Sequence, residues 1–536
     1  MIMSSPFTPP PPRNLVDLPR DIWHTIADFI PEDELVNLYS VTGAWLNRAL
    51  RLRYGLIILQ NWEGPEISRF LNHISTPFCA PFVRHVVVKL ADMRQSESQN
   101  HPLGAPGAST VSLEILKRHT YSLLSYLLAD PIPTFDQTMS LVISTLPLLT
   151  QVETLSIDCW DFRRDFDFQL LLTTAWSSFG SNLTSLIFSG DLETFRHLTV
   201  SEPSLPSLKH LEFDITVNLY NLNRDHAHEL DSLENYIAPF IASFSFQLET
   251  FKLFFWPDFD LSSLFNHFPN TFRKLKHIGL RMPYRTAFQD PSGLMNFLSR
   301  TGSPSLEVLQ LRLNPTGAAL DRTSELPLAQ FLRSLIADDR DQFTSLRSLE
   351  LFPTHAPEGL TVIRTAISRS SETLTSMCIR DRSLQVDELV EVLRELEKCR
   401  GLERLRLNLP RLDIDIVQLF ADTLPKLKRL SLFIDESRNV AEPSISTTLE
   451  GDLGTRNFSA WKLNDIGVWR AGSPNDTGLM QAFAHHIPSI TSFWGHRHVN
   501  IDVLMREKSS KDNRVLGRLE SPWKPAMISK STRSIF

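Results

Sequence analysis

Six arginines and three aromatic residues recur at equivalent places in a repeated sequence pattern. The pattern is an apolar residue, two variable residues, a second apolar residue, one variable residue and a third apolar residue. The residues of interest flank the middle apolar residue or follow the last one: Arg281, Arg312, Arg380, Arg404, Arg406, Arg429, Phe352, Phe433 and Trp469. A guanidinium binds a carboxylate or a phosphate through two parallel hydrogen bonds, and aromatic neighbours supply contact area. These residues predict a surface that binds an acidic or phosphorylated protein substrate.

A second interpretation of the same arginines stays open. They also suit a solvated strand face on which each arginine pairs with a nearby acid such as Glu350 or Asp381. The early copies of the pattern differ, because their equivalent residues are polar or acidic: Thr154, Ser156, Asp158, His210, Glu212 and Asp214.

No motif in the sequence indicates catalysis or a bound metal. His485, His486, His496 and His498 cluster, but no cysteine or carboxylate stands at ligand spacing from them. The sequence contains no Gly-rich phosphate loop, no GxSxG and no HExxH. We therefore expect no catalytic residues, no metal and no cofactor.

The pattern itself predicts the elements that position the arginines. Its copies begin at Val83, Val152, Leu183, Leu208, Leu248, Leu275, Leu306, Leu346, Leu374, Leu402, Leu427, Leu463 and, in a degenerate form, Ile490. Starts between 152 and 427 lie 25 to 40 residues apart. The alternation at the end of each copy predicts a half-buried strand.

Amphipathic stretches between the copies predict helices at 167–176, 387–399 and 413–424, with Asp413 as a helix cap. One strand and one return segment cannot form a core alone, so the units must stack. The array resembles a leucine-rich repeat. It implies an α/β fold, an irregular solenoid with a parallel concave sheet and helices on the convex side.

The segment 18–54 carries more apolar surface than it can bury. Pro19 suits the first turn of a helix. Apolar residues then follow at helical spacing in three groups, which predict three short helices: Ile22, Ile26, Phe29 and Ile30; Leu35, Leu38 and Val41; Trp45, Leu46, Ala49 and Leu50. A partner is expected to cover the remaining apolar surface.

This segment resembles an F-box, through Leu18-Pro19, Ile22, Ile26, Leu35, Leu38, Val41 and Trp45-Leu46. It departs from the family at Val41-Thr42-Gly43-Ala44, where a Cys or Ser and a basic residue are more usual. The resemblance implies docking on a Skp-type adaptor and, through it, on a cullin scaffold. The residues implied in adaptor contact are Leu18, Pro19, Ile22, Ile26, Leu35, Leu38 and Trp45. The alternative is a helical cap on the repeats.

Composition limits the function classes. The net charge of −7 gives no overall attraction for nucleic acid. No run of eighteen apolar residues indicates a membrane span, and residues 1–12 lack the features of a secretion signal. Four scattered cysteines fit a reducing compartment, so we expect a cytoplasmic or nuclear protein.

The sequence therefore predicts four regions: a Pro-rich disordered tail (1–13), an F-box (14–60), a repeat region (80–505) with flexible insertions at about 91–110 and 436–458, and a basic tail (506–536). The function expected is that of a non-catalytic substrate receptor in a Skp–cullin–F-box ubiquitin ligase. The alternative is a repeat scaffold that binds proteins without any ligase.

Overall fold

The structure, a computed structural model, describes most of the repeat region and part of the N-terminal segment. The described residues are 19–31, 34–35, 38, 42–60, 65–90, 134–159, 167–200, 203–216, 225–257, 260–268, 272–282, 290–301, 305–313, 330–331, 333–335, 343–351, 357–434, 449–470 and 477–493. Several predictions lie outside them: both tails, the insertion 91–110, the first part of the insertion 436–458, Leu18 and Phe352.

The chain divides into two compact units, which we describe separately. Unit 1 comprises Met1–His210 and Asn218–Asp225, and unit 2 comprises Leu211–Val217 and His226–Phe536. Each unit contains parallel strands that follow one another in chain order, with helices between them.

Unit 1 contains four strands and six α-helices among its described residues. The strands are β1 (Leu56–Leu59), β2 (His85–Lys89), β3 (Thr154–Asp158) and β4 (Ser185–Gly190). The helices are α1 (Arg20–Asp28), α2 (Gly43–Tyr54), α3 (Pro65–Ile74), α4 (Phe135–Thr145), α5 (Phe168–Phe179) and α6 (Leu192–Val200).

Unit 2 contains the remaining strands, of which β5 has its first residue, His210, in unit 1. They are β5 (His210–Ile215), β6 (Thr250–Phe255), β7 (His277–Arg281), β8 (Val308–Arg312), β9 (Ser348–Leu351), β10 (Ser376–Ser383), β11 (Arg404–Leu409), β12 (Arg429–Ile434), β13 (Asp465–Arg470) and β14 (Ser492–Phe493). Its described helices are α7 (His226–Ser232), α8 (Ala238–Ser243), α9 (Ser262–Asn266), α10 (Ser292–Thr301), α11 (Pro357–Arg369), α12 (Val386–Leu396), α13 (Ile414–Thr423), α14 (Leu449–Asp452) and α15 (Thr477–His486). A π-helical turn, Leu233–Ile237, joins α7 to α8.

The predicted apolar pattern forms the core of both units. Every apolar residue of the thirteen copies is at most 9% exposed. Equivalent residues stack in register, with Leu405 beside Leu430 and Leu430 beside Ile466. They pack against the helices, as Phe188 does against Phe168 and Phe195 at ring-centroid distances of 5.8 and 4.7 Å. The repeat prediction is therefore confirmed: the chain is an α/β protein with parallel, leucine-rich-repeat-like strands.

A recurring backbone contact sets the start of most of the described strands. Two consecutive amides donate to one carbonyl of the preceding strand: those of Lys428 and Arg429 both reach the Glu403 oxygen at 2.9 Å. The equivalent residues of the next strand make the same contact: the amides of Asn464 and Asp465 donate to the carbonyl oxygen of Lys428 at 2.8 and 3.0 Å. This contact aligns the first residues of successive strands in one row.

The predicted helices at 167–176, 387–399 and 413–424 are confirmed as α5, α12 and α13. Asp413 caps α13 as expected, because its Oδ1 accepts a hydrogen bond of 3.0 Å from the Ile416 amide.

Two segments differ from the sequence prediction. The parallel strands begin at Leu56, upstream of the region 80–505, since β1 pairs with β2. Residues 449–458, assigned from composition to a flexible insertion, contain α14 and a 3-10 turn, Leu453–Thr455. Leu449 and Leu453 are 0% exposed and Phe458 is 2% exposed, so three apolar anchors hold this otherwise polar stretch.

Candidate functional sites

The N-terminal helices of unit 1 form a small apolar cluster. Ala27, Leu35, Ala44 and Trp45 are its buried members. The Trp45 indole packs edge-on against Trp23 with a centroid distance of 5.3 Å, and its Nε1 donates to the Trp23 carbonyl at 3.1 Å. The Thr42 hydroxyl caps α2 by accepting from the Trp45 amide at 3.2 Å. Trp45 is thus held by its ring, its indole N–H and its backbone.

The same helices leave one apolar face of α1 uncovered. Ile22 is 41% exposed and Phe29 is 84% exposed. Phe29 is the C-cap residue directly after α1, seven positions or close to two helical turns after Ile22, so the two side chains lie on the same side. Ile26 and Ile30, from the same sequence stripe, turn towards the cluster and are half-buried. The exposed pair of Ile22 and Phe29 is the candidate docking surface of the N-terminal helices.

The structure separates the residues predicted to contact an adaptor. Leu35 and Trp45 are 1% and 7% exposed and belong to the local core, whereas Pro19 and Ile22 are exposed. Ile26 and Leu38 pack partly against the cluster. Phe29 was missing from the predicted contact set, although its spacing from Ile22 could have indicated it. Of the three predicted helices, α1 and α2 are described, and the second predicted helix is described only at Glu34, Leu35 and Leu38.

In unit 2, strand alternation presents the variable residues on the face opposite the buried ones, which we call the open face. The first open-face residues of four neighbouring strands form a row: Arg404 of β11, Arg429 of β12, Asp465 of β13 and Ser492 of β14. We call these four residues the first row. Arg404 and Arg429 are exposed.

The first row lies in a cleft of about 630 Å³, lined by Glu403, Arg404, Lys428, Arg429, Asn464, Asp465, Thr491 and Ser492. Within the described residues, no carboxylate lies within 4.0 Å of either arginine in it. Lys428 and Glu403 pair with each other at 2.6 Å. Asp465 is 8% exposed, and its Oδ1 has no hydrogen-bond donor in the described part of the chain.

The second row of the open face is more buried. Arg406 stands in register between Cys378 and Ser431. Burial disfavours the charged guanidinium, and the nearby Arg380 adds repulsion, so the pKa of Arg406 is lowered from its usual value. Burial also raises the pKa of the Cys378 thiol to about 11, with a further contribution from Glu350. That thiol is protonated at neutral pH.

Two of the predicted arginines are engaged inside the protein. Arg380 pairs with Glu350 at 3.1 Å, as the alternative interpretation anticipated for that acid. Arg281 is 5% exposed, and its guanidinium lies 3.9 Å from the centroid of the Trp256 ring. The indole N–H of Trp256 donates in turn to Asp214 at 2.8 Å. The guanidinium groups of both arginines are therefore already engaged by other residues of the protein.

The remaining predicted residues are partly exposed. Arg312 is half-buried beside Arg281 in register, and Phe433 and Trp469 are half-buried neighbours on β12 and β13. The sequence pattern thus placed the arginines on one face correctly, but only Arg404 and Arg429 stand exposed there without a partner among the described residues.

The described residues show neither a metal-ligand cluster nor a membrane-spanning helix. No group of three or more His, Cys, Asp or Glu side chains could hold a metal ion there. None of the described helices is long and apolar enough to cross a membrane.

Comparison with known proteins adds little. No protein-family model matches the sequence, and no curated protein matches it. Among solved structures, the chain is similar to the crystal structure of the leucine-rich repeat-containing protein LegL7 from Legionella pneumophila. The identity is 13%, the match covers 69% of this chain and 95% of that chain, and the TM-score is 0.29. A TM-score this low supports no conclusion, so the repeat assignment rests on strand register and burial.

Proposed function

We propose that this chain is the substrate-recognition subunit of a Skp–cullin–F-box E3 ubiquitin ligase. The N-terminal helices bind the Skp-type adaptor, and the open face of unit 2 binds the target protein. The observation that carries the proposal is the exposed pair of Ile22 on α1 and Phe29 at its C-cap, beside a cluster in which Leu35 and Trp45 are buried. A helix that keeps two large apolar side chains in water is stabilised when a partner covers them.

The proposed mechanism is proximity, without catalysis by this chain. The adaptor links the receptor to the cullin scaffold, and the target is held near the enzyme that carries ubiquitin. Tethering raises the effective concentration of the target lysine, so no nucleophile is required from the receptor. Such a subunit needs no metal or cofactor and works in the cytoplasm or the nucleus.

The adaptor interface is tested by measuring the affinity of the full-length chain for a purified Skp-type adaptor. The double variant Ile22→Ala/Phe29→Ala removes the apolar anchors. Each interface anchor of this type contributes about 2 kcal/mol, so we expect the affinity to fall about a thousandfold.

A matched control exists in the same unit. Leu56 and Ile58 of β1 are 51% and 42% exposed, and the double variant Leu56→Ala/Ile58→Ala should bind the adaptor like the parent chain. Equal loss in both double variants, or unchanged affinity in the α1 variant, would refute the proposed interface.

The second candidate is a repeat scaffold that binds a protein without any ligase. It is favoured by the burial of Leu35 and Trp45, because two residues of the family's contact set already serve the chain's own core. A chain that retains a target but captures neither adaptor nor cullin would support this alternative.

A further inference from the structure

The first row combines two exposed cations with a buried anion on adjacent strands. Arg404 and Arg429 neighbour each other, and Asp465 neighbours Arg429, in a continuous register. All three side chains line the same cleft. The cleft therefore presents both signs of charge in a fixed order.

The cationic half is available to a ligand. Within the described residues, neither Arg404 nor Arg429 has a carboxylate within 4.0 Å, and the cleft's own Glu403 is held by Lys428 at 2.6 Å. Two neighbouring guanidiniums can bind one carboxylate or one phosphate through charge-assisted hydrogen bonds. An acidic side chain fits this half.

The anionic half lacks a donor. Asp465 is 8% exposed, and its Oδ1 receives no hydrogen bond in the described part of the chain. Buried carboxylates in folded proteins are normally paired or hydrogen-bonded, because desolvating the charge is costly. A cationic group that enters the cleft beside Asp465 would supply the missing partner.

The spacing of the two halves specifies the ligand further. Parallel strands lie about 4.8 Å apart, so the midpoint between Arg404 and Arg429 is about 7 Å from the strand of Asp465. An extended peptide advances about 3.4 Å per residue, and its side chains i and i+2 point to the same side. A peptide that crosses the strands would reach both halves with side chains two positions apart.

We propose that the first-row cleft binds an extended peptide in which an acidic residue and a lysine are separated by one residue. The acidic group binds Arg404 and Arg429, and the lysine ammonium binds at Asp465. This inference names the sequence class of the target and so rests on the proposal that the open face holds a target protein. The acid can be a carboxylate or a phosphate, since both suit paired guanidiniums.

The test uses fluorescein-labelled peptides and fluorescence anisotropy with the full-length chain alone. One peptide has Glu-Ala-Lys at its centre and a second has Glu-Lys-Ala, with the same composition but with the charges on opposite sides of an extended chain. We expect the first to bind about fivefold to tenfold more tightly. Equal affinities would overturn the proposal.

Variants assign the two halves. Asp465→Asn should abolish the preference for Glu-Ala-Lys over Glu-Lys-Ala, whereas Arg404→Ala should weaken both peptides. Arg300→Ala is the matched control, because Arg300 of α10 is also exposed and without an ion pair among the described residues but lies outside this cleft. A preference that survives Asp465→Asn would overturn the role of Asp465.

A phosphoserine-Ala-Lys peptide distinguishes the two acids. Affinity equal to that of Glu-Ala-Lys supports a carboxylate target, and tighter binding supports a phosphorylated one. Circular dichroism confirms that each variant is folded. No ligase component is present, so a failure of adaptor binding leaves this result intact, and a failure here leaves adaptor binding intact.

Discussion

The N-terminal helices and the strands β11 to β13 bury their apolar residues to different extents. The helices share a cluster of four buried residues and leave Ile22 and Phe29 in water. In β11 to β13, every apolar residue of the repeat pattern is at most 9% exposed, and the most exposed side chains of the open face are the charged Arg404 and Arg429. The first region therefore offers apolar surface to a partner, and the second offers charge.

The difference follows from what each region can stack against. A repeat strand is covered by its own helix and by identical neighbours, so burial is complete inside the array. Two short helices have few neighbours, and fully burying a side chain such as Ile or Phe contributes about 1.5–3 kcal/mol. Because Ile22 and Phe29 are not buried in the chain itself, this free energy can stabilise a complex with a partner that covers them.

The largest expected effect contrasts one core leucine with one exposed isoleucine. Leu407 of β11 is 0% exposed, so Leu407→Ala should cost about 2–5 kcal/mol of unfolding free energy through lost contacts and a cavity. Ile22→Ala should change it by no more than about 0.5 kcal/mol. Urea unfolding followed by circular dichroism measures both, and hydrogen exchange locates the loss. Similar costs would contradict the comparison.

The thiol of the half-buried Cys378 tests how well β10 excludes water from its open face. Its pKa is raised to about 11, so alkylation by iodoacetamide at pH 8 should be about a hundredfold slower than in the urea-unfolded chain. Because the folded-state pKa lies above the unfolded value, the linked stability is present below about pH 9 and is lost as the pH rises towards about 11. Equal alkylation rates of Cys378 in the folded and unfolded chains would contradict this prediction and show that β10 opens in the folded chain.

Two tryptophans provide a matched pair across the two regions. Trp45 donates its indole N–H to the Trp23 carbonyl and Trp461 donates to the Leu424 carbonyl, both at 3.1 Å. Replacing either with Phe removes this hydrogen bond, at about 0.5–1.5 kcal/mol, because the Leu424 carbonyl keeps the Leu427 amide as a donor and the Trp23 carbonyl lies within α1. Hydrogen exchange should show local opening confined to the helices for Trp45→Phe and reduced protection of neighbouring repeats for Trp461→Phe. If hydrogen exchange showed equally widespread opening in both variants, the contrast between the helices and the repeats would be refuted.

Surface ion pairs should show the smallest effect and no difference between the regions. Lys428 pairs with Glu403 in the repeats, and Arg48 pairs with Asp28 in the helices, with side chains 35–61% exposed. Lys428→Ala and Arg48→Ala should each cost less than about 1 kcal/mol in urea unfolding. A larger cost in one region would indicate a role in packing beyond charge.

Much of the fold could be predicted because the repeat signal is local. The twelve apolar triplets and the degenerate pair Ile490 and Phe493 specify strands by their spacing, and all of these residues are buried. The strand β1 was not assigned to the repeats because it follows directly on the N-terminal helices. The segment 449–458 was misjudged because Leu449, Leu453 and Phe458 are sparse among polar residues, and only their burial reveals a fold.

The candidate sites were harder to predict, because partners come from distant positions. Arg380 and Glu350 are thirty residues apart in the sequence, yet they pair at 3.1 Å across neighbouring strands. Arg281 packs against the ring of Trp256, which directly follows β6 and is 25 residues earlier in the sequence. No local pattern separates these arginines from Arg404 and Arg429.

The sequence by itself determined which residues enter the core and which share the open face, because alternation and helical spacing are properties of consecutive residues. Only the tertiary structure decided which of those surface residues are already used. Leu35 and Trp45 are buried in the N-terminal cluster. The residues that stay exposed are Ile22, Phe29, Arg404 and Arg429. The physical reason is that pairing and burial depend on register between segments far apart in the chain.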